Sequence, residues 1–182
     1  MMDADGCRVI SAAGWMVAVA RRAVADYAGP RAPVRTDQVG DLLAAAGCHV
    51  EIFPFRSDTV AMTLPRCAGV YPILVNRSAE RTDRFFALRH EVAHVLAGDV
   101  EGAVYLAHEG FTAHAERVAD LFALADLVPG WWIAGLRRGG APWREVRGEV
   151  ADAITAYAES WPPERLRDRA ELRLRLFHEQ GI

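Results

Sequence analysis

The chain contains no lysine: all 21 basic residues are arginine. With abundant Ala and Gly, that reads as the coding bias of a GC-rich genome and bears little on function. The 24 acidic residues leave a net charge of −3, which gives no overall attraction to nucleic acid. Cysteine is scarce. Cys7, Cys48 and Cys67 are far apart and form no C-x-x-C pair, which argues against a disulfide framework and a cysteine metal site. Buried, inert thiols are the expectation. Long hydrophobic runs are missing too. The longest early one, Trp15 to Ala20, is too short to span a bilayer and runs into Arg21 and Arg22. With no signal peptide in view, the expectation is a cytoplasmic protein with no membrane association. There is no internal repeat, no low-complexity segment and no Gly-rich phosphate loop.

What remains is an ordinary composition. At 182 residues and 52% apolar, the chain can bury one genuine core, with or without a small appendage. Ile10 to Tyr27 carries Trp15, Met16, Val19, Ala23, Val24 and Tyr27 at helical spacing, stopped by Gly29-Pro30. Asp37 to Ala46 predicts a second helix with Gly47 as its cap. The pattern then changes. His49 to Phe53 alternates, Val60 to Leu64 is short and apolar, and Ile73-Leu74-Val75 follows Pro72. These predict three short strands, with Pro54, Pro65 and Pro72 at edges or turns.

Asp83 to Ala97 returns to helical spacing and contains His90-Glu91-Val92-Ala93-His94, an H-E-x-x-H sequence. Residues four apart share a helix face, so both imidazoles can reach one metal ion. The carboxylate of Glu91 lies beside them, placed to take a proton from water. This is the zinc-hydrolase pattern. Such a site needs a third protein ligand. Ala97 and Val100 occupy the places where a metzincin has Gly and His, so a third His from that motif is excluded. After residues 95–114 comes a second helical run, Ala115 to Ala123, closed by Pro129. It offers Glu116 as the third ligand. Asp120, one turn on, can accept a hydrogen bond from the far nitrogen of a ligand His. Asp99, Glu101, His108, Glu109 and His114 compete for the ligand role.

Three separated motifs resemble the ImmA/IrrE family of zinc metallopeptidases. They are Arg84-Phe85-Phe86-Ala87-Leu88-Arg89 running into the H-E-x-x-H, then Glu116-x-x-Ala119-Asp120-x-Phe122-Ala123, then Leu127-Val128-Pro129. Gly69 to Asn76 is similar to the short strand that leads into the first metal helix. The resemblance spans about Asp37 to Pro129. Asp126 departs from it, standing where the family usually has an apolar residue; a local packing change is the expectation. The resemblance implies an α+β fold: a mainly helical, zincin-like core over 1–130 with a small three-stranded sheet. A helical tail over 131–182 would pack on that core.

The tail is Arg-rich. Pro142 fits a helix first turn leading into Val146, Val150, Ile154 and Tyr157. Trp161-Pro162-Pro163 breaks the chain and opens a last helix with Leu166, Ala170, Leu174 and Phe177 on one stripe. The alternation Leu172 to Leu176 also allows a strand, but length and Glu/Arg content favour the helix. Two helices joined by a break resemble the helix-turn-helix-like tail of family members. Between Arg137 and Arg175, however, nine Arg face seven Asp or Glu. That near balance argues against direct nucleic-acid binding.

Of the remaining polar residues, Tyr105, His108 and His114 are expected in the loop between the metal helices and are candidates for stabilising an oxyanion. His49 is expected to be structural, and His178 exposed. Arg89 and Arg117 are expected on solvated helix faces. The functional expectation is a zinc-dependent endopeptidase with Zn2+ on His90, His94 and Glu116 and with Glu91 as base. The resemblance implies a protein substrate, a helix-turn-helix repressor cut in regulatory proteolysis. Two alternatives stay open. One is a repressor-binding protein that does not cut, against which an intact Glu91 argues. The other is a metal-dependent hydrolase of a small molecule, against which the shortage of insertions argues.

Overall fold

The computed structural model describes residues 10–21, 39–56, 58–98, 100, 113–158 and 161–182. Helix α1 covers Ile10–Arg21, and α2 covers Val39–Ala45. Gly47 follows α2 with φ +68°, a left-handed turn that glycine makes without strain. The chain then enters β1, Cys48–Phe53, β2, Ala61–Thr63, and β3, Tyr71–Asn76. The strands form one mixed sheet in the order β1-β3-β2, with β1 parallel and β2 antiparallel to the central β3. The α+β class and the small three-stranded sheet are as the sequence predicts.

The sheet lies against α3, Arg81–Ala97. Tyr71, Ile73 and Val75 alternate inward along β3 and are buried, as strand periodicity requires when one face meets a helix. The entry to α3 is tied down by Arg84, whose guanidinium donates to the carbonyls of Ala79 and Arg77 at 2.8 and 2.6 Å. Its exit is Gly98, at φ +76°, whose N–H returns to the carbonyls of His94 and Val95.

Helix α4, Ala113–Leu127, packs along α3 and is buried from Val118 through Ala125. A helix apolar on all sides belongs inside a protein, and α4 is flanked by two cores. One joins it to α1, α2 and the sheet through Met16, Leu42, Ile73, Val92 and Leu121. The other joins it to the C-terminal helices through Leu124, Ile133, Val150, Ile154 and Leu174. Those helices are α5, Gly130–Arg138, α6, Trp143–Thr155, and α7, Pro163–Gln180. The C-terminal part thus holds three helices, the first of them unresolved by the sequence reading. Leu172 to Leu176 lies within α7, so the strand alternative is excluded. No single helix is long and apolar enough to cross a membrane among the described residues. Helices α4 and α5 reach that length only as a pair bent by 56°.

Several sequence expectations are corrected. Arg89 is not on a solvated face. It is 1% exposed, its Nε donates to Asp126 Oδ2 at 2.5 Å and its Nη1 to the Phe85 carbonyl at 2.9 Å. The departure at Asp126 is therefore a charged partner of a buried cation. Arg117 leans on α7, 3.8 Å from Asp168. Cys67 is exposed and Cys48 half-buried; burial and the Glu91 charge push the Cys48 thiol up to about 11. Cys7 lies outside the described residues. His49 is in β1 but faces solvent. His178 is exposed, as expected, with its ring 4.2 Å from that of Trp143.

Candidate metal centre

Helices α3 and α4 bring His90, His94 and Glu116 together, with one ligand atom from each lying within 4.8 Å of the others. The spacings are narrower than that bound. His90 Nε2 and His94 Nε2 are 3.1 Å apart. Glu116 reaches the first with Oε2 at 3.2 Å and the second with Oε1 at 3.4 Å. A tetrahedral site with bonds of about 2.0–2.1 Å has ligand–ligand edges of about 3.3–3.4 Å. Two imidazoles and a carboxylate in this cluster lie close enough to hold one metal ion.

Asp120 completes the arrangement from behind. It is fully buried, and its Oδ1 lies 3.0 Å from His90 Nδ1. A carboxylate only accepts, so Nδ1 carries the proton and Nε2 is left to face His94 and Glu116. The other oxygen of Asp120 accepts from Arg165 Nη2 at 2.8 Å and Arg169 Nε at 2.9 Å. Two guanidiniums of α7 therefore hold the carboxylate that orients a candidate ligand of α3.

The electrostatics follow from this packing. Burial opposes a charged His90, but hydrogen bonds to Asp120 and Glu116, with the charges of Asp120 and Glu91, push it up to about 10. Hydrogen bonds from His90 and His94 hold Glu116 well below the usual carboxylate range. Burial works against the Asp120 charge, yet His90, Arg165 and Arg169 keep its pKa low.

Glu91 projects from α3 toward β2. Its Oε2 accepts from the backbone N–H of Thr63 at 2.9 Å and from the Thr63 hydroxyl at 2.7 Å. Glu91 and Thr63 are both buried. The carboxylate is thus held by β2, next in sequence to His90, and is not one of the three clustered candidate ligands. An open cleft of about 440 Å³ runs past it, lined by Val60 and Ala61 at β2 and by Phe86, His90 and Glu91 on α3. Glu116 and Asp120 of α4 line it too, as do Tyr157, Trp161 and Arg165 from the C-terminal helices.

The oxyanion candidates fare differently. His114 lies in the first turn of α4, not in a loop, and lines a separate hollow of about 210 Å³ with Trp15, Met16 and Ala97, sharing His94 with the candidate metal cluster. It is not among the residues lining the main cleft. Tyr105 and His108 lie outside the described residues, as do Asp99, Glu101 and Glu109 among the competing ligands.

Thr63, Tyr157, Trp161, Arg165 and Arg169 were not singled out by the sequence as site residues. For Arg165 and Arg169 a faint signal existed, because they lie four apart on the face of α7 next to Ala170. Thr63 carried none. No protein-family model matches this chain, and no curated protein sequence matches it.

Proposed function

We propose that the protein is a zinc-dependent endopeptidase, with His90, His94 and Glu116 as metal ligands and Glu91 as the general base. The observation that carries this reading is the Glu91 carboxylate, held by Thr63 and next in sequence to a cluster of three residues whose ligand atoms lie within 4.8 Å of one another. A structural ion needs no such base.

When bound, a zinc ion lowers the pKa of a water to about 7 and polarises a carbonyl. The chain's own residues supply the rest. Glu91 takes a proton from the attacking water and returns it to the leaving nitrogen. Asp120 keeps His90 in one tautomer and one orientation. Substrate binding is supported by the edge of β2. Val60 and Leu64 bond to β3, through Asn76 N–H to Val60 O and Leu64 N–H to Pro72 O, both at 2.8 Å. Alternation turns the peptide groups of Ala61 and Thr63 outward. Thr63 N–H is taken by Glu91, while the Ala61 peptide faces the open edge, where an extended chain can add as a further strand.

The resemblance to the ImmA/IrrE family supports a protein substrate. The candidate is a helix-turn-helix repressor cut in regulatory proteolysis in the cytoplasm. Glu91→Gln tests this. The variant should hold zinc as the wild type does and should capture the substrate without cutting it. Relief of repression by Glu91→Gln equal to that by the wild type would overturn the proteolytic reading and favour a repressor-binding protein.

A further inference from the structure

The Trp161 indole lies in the wall of the cleft and is held on two sides. The Phe86 ring meets it edge-on, with centroids 4.8 Å apart and planes at 85°. The Arg165 guanidinium lies over its ring at 4.0 Å. Arg165 is anchored in turn by Asp120, so the indole is backed by groups that cannot easily swing away. Trp161 nevertheless remains only half-buried. Val60 and Ala61 at β2 and Ala87 of α3 line the same cleft. Their small side chains leave its volume unfilled. A fixed aromatic ring together with small apolar residues is the composition of a site for a bulky apolar group. Arg165 already shares its charge with Asp120, which leaves the indole as the recognising surface.

The register of β2 says how such a group would arrive. The Thr63 side chain points at α3, because its hydroxyl bonds Glu91. Ala61, two residues earlier, points the same way. A peptide pairing with the open edge of β2 sends alternate side chains to that face of the sheet, toward the cleft between β2 and Trp161.

Resting on the peptidase reading above, we propose that Trp161, backed by Phe86 and Arg165, forms a subsite for a large apolar or aromatic side chain of the substrate, next to the bond that is cut. Sequence selectivity then comes from the C-terminal helical part, while the chemistry comes from α3 and α4.

The test uses the zinc-loaded full chain and one random peptide library, read in two ways. Glu91→Gln protein selects peptides by binding, and wild-type protein cuts them, with cut positions read by mass spectrometry. Both should show about tenfold enrichment of Phe, Tyr, Trp, Leu or Met at one position, the scale on which apolar pockets discriminate. Trp161→Ala should abolish the enrichment with zinc content unchanged. Ala61→Leu fills the same space without touching the indole and should shift the preference to Gly, Ala or Ser. Cutting without preference, or a preference unmoved by both variants, overturns the subsite and leaves the peptidase reading standing. Selective binding with no cutting overturns the peptidase reading and keeps the subsite. Neither binding nor cutting overturns both.

Discussion

One oxygen of Glu91 receives two hydrogen bonds from Thr63, one from its backbone at 2.9 Å and one from its hydroxyl at 2.7 Å. A residue of the edge strand thereby sets where the proposed base points. Thr63→Val removes the hydroxyl and keeps the backbone donor and the β-branched shape. Hydrogen bonds to charged groups are worth about 1.5–3 kcal/mol. Turnover on any cut peptide should fall about tenfold while zinc content stays at the wild-type level. Equal turnover in the two proteins would remove Thr63 from the machinery.

Metal binding should rank the site residues. His90→Ala and His94→Ala should lose nearly all metal, and Glu116→Ala most of it. Asp120→Ala should weaken binding on the order of 10–100-fold, as for other partners that orient a ligand. Chelator competition measures all four. An unchanged affinity in Glu116→Ala would move the third ligand to another residue.

Protons should compete with the metal at His90. Its pKa in the metal-free protein is pushed up to about 10, so at pH 7 it is charged. Binding of one ion should therefore release about one proton at this residue. Calorimetry in buffers of different ionisation enthalpy counts the protons, and affinity should rise with pH up to about 10. The sign for stability is the reverse. A raised His pKa stabilises the metal-free fold fully below its ordinary value near 6.5, and the benefit is lost as pH rises through about 10. Thermal melts of metal-free protein between pH 6 and 10 should show that decline, and zinc should suppress it.

Asp126→Ala should destabilise the fold. It removes the carboxylate to which the buried Arg89 Nε donates. Breaking a buried pair costs about 3–5 kcal/mol. With Asp126 27% exposed, about 2–3 kcal/mol is expected from urea titration. Replacing both partners, as Arg89→Met with Asp126→Leu, should recover most of the loss.

How much of this was legible in the sequence depends on the distance over which each relation acts. His90, Glu91 and His94 are fixed by one helical turn, and Asp120 follows Glu116 by one more. Local periodicity therefore sufficed to pair them. The strands were readable because their alternation is local too. Arg89 was misplaced because arginine is usually exposed. Yet it stands on the stripe of Phe86, Val92 and Ala93, and Asp126 interrupts an apolar run. Two charges breaking two buried patterns were a usable sign of a pair. Arg165, Arg169 and Trp161 were out of reach. They meet Asp120 and Phe86 only through the docking of α7, and no spacing rule connects residues 45 and 49 positions apart.

That separation also orders events during synthesis. Asp120 is made 45 residues before Arg165, which at about 5–20 residues per second is a lag of roughly 2–9 seconds. Until then the buried carboxylate that orients His90 lacks both guanidiniums, and the cleft lacks its aromatic wall. A nascent chain that already carries the whole H-E-x-x-H helix thus still lacks part of the candidate site, which is complete only once α7 has been made and docked.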